Sequence, residues 1–311
     1  MLLKKITFSI ICALLGCIFI FSAYTKLYPI EPFEYTFVGL GISSWQLAPF
    51  IARLLIAFEF LMGVLLILNI ALKRFTYKLS IITLLIFCLY LILQLIISGN
   101  NGNCGCFGTT IYMSPLKALI KNILMLGVFI ALYIFHTGFS FGRFSKLIVI
   151  IIALTSIALP FILNPVQLDY SEAYLNKPST NYKLELDTLY NNAYLNTPPK
   201  TLSKGKYIIS FMSLTCQHCR IAAKKIHILN EKNPSIPFYF VLNGKEEKLK
   251  AFFDDTHTEN ISHCMLKGSH FIYLGGIALP TILLVNNSIV EHQVDYITLD
   301  QQEIEKWLQG R

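Results

Sequence analysis

The chain of 311 residues is long enough for two domains. Hydrophobic residues make up 54% of it, charged residues 14%, and the mean hydropathy is +0.56, which excludes an ordinary water-soluble protein. The formal net charge of +8 does not indicate nucleic-acid binding, because the basic residues recur singly or lie between apolar runs and form no basic stripe.

The first half of the chain predicts an α-helical membrane bundle over residues 1–163. Five apolar runs are each long enough to cross a bilayer, which takes about 20 helical residues. They lie roughly at Ile6–Tyr24, Phe50–Ile70, Leu79–Ile97, Leu119–Phe135 and Leu147–Leu163. Within the first run, Leu14-Leu15-Gly16-Cys17 resembles a lipoprotein cleavage box, and Phe21-Ser22-Ala23 resembles the end of a signal peptide. Because the run stays apolar through residues 18–21, we expect the first helix to be retained.

Basic residues beside the runs predict the orientation of the bundle. They precede the first run, separate the second from the third and separate the fourth from the fifth: Lys4, Lys5, Lys73, Arg74, Lys78, Arg143 and Lys146. The positive-inside rule places these residues in the cytoplasm. The loops at 25–49 and 98–118, and everything after Leu163, are then outside.

The loop between the third and fourth runs contains a close-spaced pair, Cys104-Gly105-Cys106. A disulfide across so small a ring is strained, and a strained disulfide is easily reduced. The pair is therefore expected to relay electrons and not to form a permanent structural disulfide. Two free thiols and a soft-metal site are the alternatives.

A polar stretch at 164–181 predicts a linker, and an α/β domain follows at 182–311. As a free chain, eighteen linker residues at about 3.3 Å each would reach roughly 60 Å. In the domain, apolar runs predict three strands and a hairpin partner separated by helices. We expect strands at Tyr207–Met212, Pro237–Leu242, Thr281–Val285 and Ser288–His292, and helices at Gln217–Asn230, Glu246–Phe253 and Gln301–Leu308.

A second pair, Cys216-Gln217-His218-Cys219, begins the first helix of this domain. At a helix start the sulfur of Cys216 meets unsatisfied N–H groups and the positive end of the helix dipole, which stabilise a thiolate. His218 adds positive charge, and Cys219 is close enough to close a disulfide. A structural zinc site is the alternative, for which His263 and Cys264 are the candidate further ligands.

Pro280, directly before the strand at Thr281–Val285, suits a cis bond beside the active site. A strand, Cys216-x-x-Cys219, a helix, and then Pro280-Thr281 before a hairpin resemble the thioredoxin superfamily over about residues 182–311. The Gln-His dipeptide replaces the Gly-Pro of thioredoxin itself. A histidine before the second cysteine is similar to the oxidising DsbA-like enzymes, and the direction of electron flow stays open.

The membrane half also carries a resemblance. Cys104-Gly105-Cys106-Phe107-Gly108, a helix beginning near Lys121-Asn122, and polar residues in the first two helices look like the MauE/DoxX family over residues 5–140. These polar residues are Ser22, Lys26, Arg53 and Glu59. The family implies a role in disulfide formation or in maturation of exported proteins.

Glu59 lies deep in an apolar helix, where a carboxylate is costly and is a functional candidate. It is expected to be protonated or paired with Lys26 or Arg53, and these three residues are weak cofactor-binding candidates. A hydrogen bond that packs helices together is an equally good interpretation. For the other cysteines we favour structural roles; they are Cys12, Cys17, Cys88 and Cys264.

The sequence thus predicts a multi-pass protein of a bacterial cytoplasmic membrane that is a thiol–disulfide oxidoreductase, with its thioredoxin-like domain in the periplasm. The expected catalytic residues are Cys216, Cys219, His218, Pro280, Cys104 and Cys106. Electrons are expected to pass from exported proteins through both cysteine pairs to a membrane acceptor, for which a quinone is the candidate. No bound cofactor, metal or nucleic acid is expected. A reductive conduit and a non-catalytic maturation or metal-delivery factor are the alternatives.

Overall fold

Helices dominate the chain up to residue 163, and a sheet flanked by helices follows. A computed structural model describes residues 2–100, 103–138, 144–175 and 181–310. Its internal contacts divide the chain into two units, the membrane unit Met1–Val166 and the sheet unit Gln167–Arg311. The predicted basic residue Arg143 lies outside the described residues.

The membrane unit contains six α-helices among the described residues. They are α1 (Leu2–Leu27), α2 (Glu31–Gly39), α3 (Ala48–Ile67), α4 (Tyr77–Ser98), α5 (Pro115–Phe135) and α6 (Phe144–Leu163). Five of them are long and apolar enough to cross a membrane, which confirms the predicted bundle. The helix α2 was not predicted, although Pro32 and the acidic Glu31 and Glu34 in its first turn are favourable at a helix start.

Two glycines let α1 and α3 approach closely. A Cβ atom added at Gly16 would lie 2.6 Å from the backbone oxygen of Gly63, and one added at Gly63 would lie 2.6 Å from Cγ1 of Ile20. Small residues at such a crossing are typical of membrane helices, because packing holds the helices together where no hydrophobic effect does. This crossing brings the polar positions of α1 and α3 face to face.

The sheet unit has six strands in the order β1-β6-β5-β2-β3-β4. The strands are β1 (Tyr182–Lys183), β2 (Lys206–Ser213), β3 (Phe238–Asn243), β4 (His263–Met265), β5 (Thr281–Asn286) and β6 (Ile289–Val294). The helices are α7 (Leu186–Asn192), α8 (Gln217–Lys232), α9 (Leu249–Thr256), α10 (Gly268–Gly275) and α11 (Gln301–Gln309). Strand β2 pairs in parallel with β3 and antiparallel with β5, so the predicted α/β thioredoxin-like fold is confirmed.

All the predicted strands and helices of this unit are present, most of them within about two residues of their expected bounds. The exception is Glu246–Phe253, whose first turn, Glu246–Lys248, is a 3-10 helix before α9. Four short elements were not predicted: β1, β4, α7 and α10. Each has eight residues or fewer, too few for a clear periodic pattern.

The described ends of the predicted linker are packed and are not a free chain. At the first end, the backbone oxygen of Asn164 accepts a 2.8 Å hydrogen bond from Nε of Arg53. Further on, a 3-10 helix covers Ser171–Tyr174, and the Tyr174 hydroxyl accepts a 2.8 Å bond from the N–H of Asp300. These described parts of the linker therefore do not behave as a free chain. Their partners are remote in sequence, so no local pattern reveals them. Residues 176–180 of the linker lie outside the described residues.

Candidate redox sites

The first candidate site lies where β2 leads into α8. Cys216 is the N-cap of α8, and its sulfur accepts a 3.2 Å hydrogen bond from the N–H of Cys219. The sulfur of Cys219 accepts a 3.4 Å bond from the N–H of Ser213. Cys216 is partly exposed, whereas Cys219 is buried. A substrate can therefore reach Cys216 more easily than Cys219, as expected if Cys216 is the attacking thiol.

The two thiols differ in acidity. The hydrogen bond from the Cys219 thiol lowers the pKa of Cys216 to about 6, and the backbone N–H of Cys219 and the charge of His218 act in the same direction. The same hydrogen bond, together with burial, raises the pKa of Cys219. Cys216 is thus mainly thiolate at neutral pH, which agrees with its predicted role as the attacking sulfur.

His218 is held by an aromatic side chain that the sequence did not reveal. Its ring stacks on that of Tyr296, with centroids 5.4 Å apart and an interplanar angle of 9°. The backbone of this turn is fixed in its own right, because Nζ of Lys225 donates to the oxygens of Tyr296 and Ile297 at 3.0 Å each. The stacking keeps the imidazole beside Cys216.

The loop that contains Pro280 also approaches Cys216. The Leu279–Pro280 bond is cis, as the sequence suggested, and the Leu279 backbone oxygen is 3.9 Å from the Cys216 sulfur. The hydroxyl of Thr281 donates to the oxygens of Gly275 and Ala278 and so fixes this loop. The nearby Ile277 is 87% exposed, an apolar side chain available to a protein substrate.

The second candidate site is the loop between α4 and α5. The N–H of Cys104 donates to the Met113 oxygen at 2.8 Å, and the N–H of Cys106 points at the Cys104 sulfur at 3.4 Å. Asn103 supports the turn, because its amide nitrogen donates to the Gly108 oxygen at 2.8 Å. Gly105 has φ +71°, a conformation that favours glycine. The loop is therefore an ordered support for the two sulfurs.

This pair has the same asymmetry as the first. The hydrogen bond from the Cys104 thiol lowers the pKa of Cys106 to about 7, and the positive charges of Lys121 and Lys26 act in the same direction. The hydrogen bond to Cys106 and burial raise the pKa of Cys104. Cys106 is the more acidic of the two, and it is partly exposed as a residue, whereas Cys104 is buried.

A buried ion pair lies next to this loop and is linked to it through Ser22. Nζ of Lys26 lies 2.7 and 2.8 Å from the carboxylate oxygens of Glu59 and 2.6 Å from the Ser22 hydroxyl. The Ser22 hydroxyl is in turn 3.0 Å from the Cys106 backbone oxygen. Of the partners considered for Glu59, the structure selects Lys26. Removing either ion alone would leave a buried charge, which typically costs about 3–5 kcal/mol.

Arg53 has a different environment. Its guanidinium pairs with Glu34 of α2 at 2.5 Å and donates to the backbone oxygens of Pro49, one turn earlier in α3, and of Asn164, directly after α6. These contacts fasten α2 and the end of α6 to α3. The structure therefore separates Arg53 from Lys26 and Glu59, with which the sequence had grouped it.

The other cysteines belong to neither pair. Cys264 lies in the core on β4, where burial raises its pKa to about 11. Cys12 contacts the Tyr77 hydroxyl at 3.0 Å, and Cys88 is buried. Cys17 is exposed on α1, so a packing role within this unit is wrong for it. Within the described residues, no group of three His, Cys, Asp or Glu side chains could hold a metal ion.

Comparison with known proteins finds similarity over both units of the chain. The family of methylamine utilisation protein MauE matches residues 4–135. The membrane unit is MauE-like. Protein TlpB of Flavobacterium psychrophilum is 28% identical in an alignment that covers 79% of each chain. The likeness to MauE is thus confined to the membrane unit, whereas the likeness to TlpB extends over most of both chains.

Solved structures with the same kind of domain are also similar to part of the chain. One is the thioredoxin domain of a thiol-disulfide oxidoreductase from Bacteroides vulgatus, at 18% identity and a TM-score of 0.31, over 35% of this chain and 84% of that one. Another is a secreted disulfide oxidoreductase from Mycobacterium tuberculosis, at 13% identity and a TM-score of 0.31, over 40% of this chain and 98% of that one.

Proposed function

We propose that this chain oxidises thiols of exported proteins and carries the electrons through its two cysteine pairs. The observation that supports this is the repeated asymmetry: each pair joins an accessible sulfur of lowered pKa, Cys216 or Cys106, to a buried partner. Such a sulfur attacks or leaves readily in thiol–disulfide exchange. One pair alone would exchange with substrates, but two pairs allow reoxidation within the same chain.

The exchange proceeds in two balanced steps. A substrate thiolate attacks the Cys216–Cys219 disulfide, forms a mixed disulfide with Cys216, and is released as a disulfide when its second thiolate attacks. The Cys216 thiolate then attacks the Cys104–Cys106 disulfide, and Cys219 resolves that mixed disulfide. Each step transfers two electrons and leaves a dithiol behind. The electrons leave the loop pair for a membrane acceptor, for which we propose a quinone.

This route requires both pairs on one side of the membrane. The proposal places Lys73–Lys78 in the cytoplasm of a bacterium, and the loop at 103–113 and the thioredoxin-like unit in the periplasm. An impermeant maleimide applied to intact cells tests this on a background without other cysteines. Tyr112→Cys should be labelled and Lys73→Cys protected. The reverse pattern would contradict the proposed sidedness.

The relay is tested by replacing the loop pair in the full-length protein. With Cys104→Ser and Cys106→Ser together, Cys216–Cys219 should accumulate in the reduced form, because its reoxidation route is lost. In the reductive direction the same variant would accumulate the oxidised form. Cys17→Ser, which removes an exposed thiol outside both sites, is the matched control. An unchanged redox ratio would show that the two pairs are chemically independent.

Trapping identifies the contacts directly. With Cys219→Ala, a mixed disulfide between Cys216 and the loop pair lacks its resolving thiol. A disulfide to Cys104 or Cys106 should then appear as a gel shift that reductant removes, together with disulfides to substrate proteins. Peptide mapping names the partner sulfur. Finding only substrate adducts, with none to the loop, would rule out the relay while leaving the oxidoreductase activity in place.

A further inference from the structure

The membrane unit contains a cavity of about 150 Å³ directly beside the loop pair. Its walls come from α1, α2, α3, α4 and α5 and are mainly apolar, with Phe33, Phe37 and Phe87 among them. An apolar cavity of about this size accommodates an aromatic ring. Cys104 and Cys106 both line it, so a molecule in this cavity would contact the redox-active sulfurs.

One polar group in the wall has no partner. The side chain of Asn122 is 2% exposed, lines the cavity, and has an amide nitrogen without a hydrogen-bond acceptor among the described residues. Buried amides are nearly always hydrogen-bonded, because leaving one unpaired is costly. A ligand that places an acceptor oxygen in the cavity would satisfy it.

A lysine and an ion pair complete the site. Lys121 lines the cavity, with its Nζ 4.4 Å from the centre of the Phe107 ring, and so does Lys26, whose charge is paired with that of Glu59 in the same wall. Positive charge beside an apolar cavity favours a ligand whose oxygens gain negative charge during the reaction. An acyl chain of a lipid would suit the apolar walls, but it offers no acceptor to Asn122 and cannot accept electrons.

We infer that this cavity is the binding site for a quinone, whose ring lies against Cys106 and whose carbonyl accepts a hydrogen bond from Asn122. The inference rests on the proposed oxidative direction and names the acceptor of the loop pair. The reaction balances as follows. The Cys104–Cys106 dithiol forms one S–S bond and gives up two electrons and two protons, and the quinone takes both, so that its two carbonyl groups become hydroxyls.

The test uses the full-length protein in nanodiscs, with every cysteine except Cys104 and Cys106 replaced by serine so that only the loop pair reports. The reduced protein is mixed anaerobically with decylubiquinone, and formation of the Cys104–Cys106 disulfide is followed by thiol labelling. We expect saturable oxidation. Asn122→Leu should raise the half-saturating quinone concentration about three- to tenfold, the equivalent of one lost hydrogen bond. Thr36→Trp, which adds bulk to the wall, should prevent saturation altogether.

Gln94→Leu is the matched control, because it removes a partly buried amide of α4 that does not line the cavity. Diamide, a thiol oxidant that needs no binding site, should oxidise the loop pair of every variant at the same rate, which shows that the loop is intact. Equal half-saturating concentrations in the parent and Asn122→Leu would overturn the site, as would a failure of the quinone to oxidise the parent. If the Cys219→Ala variant still forms the disulfide between Cys216 and the loop pair, such a failure contradicts only the quinone acceptor. The proposed exchange between the two cysteine pairs is then unaffected.

Discussion

At the scale of single residues, the acidity of Cys216 is the property on which exchange depends. Its pKa is lowered to about 6 mainly by the hydrogen bond from Cys219. Because the pKa in the folded state is below that of an ordinary thiol, the thiolate stabilises the reduced fold above the ordinary pKa. This stabilisation is lost as the pH falls through about 6.

We therefore expect alkylation of Cys216 by iodoacetamide in the reduced protein to rise with pH around a midpoint of about 6. In Cys219→Ala the midpoint should move up toward that of an ordinary thiol, because the largest stabilising contact is gone. Mass spectrometry of the labelled peptide measures both profiles. Faster alkylation of Cys219 than of Cys216 in the parent protein would reverse the assigned roles.

The stacked pair of His218 and Tyr296 gives a second prediction about this site. Tyr296→Ala should raise the midpoint of Cys216 alkylation, because the imidazole is no longer held near the sulfur. The rise should be smaller than that in Cys219→Ala, since the thiol hydrogen bond contributes most. Tyr296→Phe keeps the ring and should behave as the parent. If Tyr296→Ala leaves the profile unchanged, the stacking does not position His218.

Sequence patterns identified these sulfurs but not their surroundings. Cysteine spacing and a following helix predict Cys216 and Cys219, since both signals are local. The sequence gives no comparable signal for Tyr296 or Asn122, because each acts through contacts with parts of the chain far away in sequence. Likewise, a carboxylate in an apolar helix predicts that Glu59 has a partner, yet only the crossing of α1 and α3 decides between Lys26 and Arg53.

At the scale of helices and strands, apolar runs predicted the five membrane helices well, because lipid demands a long uninterrupted stretch. The short α2 does not have to span a bilayer and carries no such signal. It is joined to α3 by the ion pair between Glu34 and Arg53, and no local sequence pattern predicts that these two residues are partners. Short elements of the sheet unit were missed for the same reason: tertiary contacts, and not local periodicity, define them.

The close crossing of α1 and α3 predicts a specific sensitivity. Gly63→Ala should lower the free energy of unfolding by about 1–3 kcal/mol, the usual cost of overpacking, because the added methyl meets Ile20 and the Gly16 backbone. Gly127→Ala on α5 is the matched control, since a Cβ there meets nothing within 4 Å. Unfolding in increasing SDS measures both. Equal stability of the two variants would mean that the helices separate easily at Gly63.

At the scale of the whole molecule, the proposed relay raises the question of whether exchange occurs within one chain. A full-length variant without Cys104 and Cys106 can be co-expressed with one that lacks Cys216 and Cys219. If exchange is intramolecular, neither copy can complete the relay, and Cys216–Cys219 of the first should stay reduced. Differently tagged copies and thiol labelling measure this. Full reoxidation would show that the relay operates between copies.

One structural feature makes the loop pair depend on the lipid around it. A side chain at Gly108 would collide with the Thr25 backbone oxygen, and the Ser22 hydroxyl bonds to Cys106, so the loop rests directly on the last turns of α1. A membrane helix adjusts to a thinner or thicker bilayer by tilting. Tilting α1 would carry the sulfurs and the wall of the cavity with it. Bilayer thickness, a property of the host membrane, thereby becomes a determinant of how fast this pair reacts.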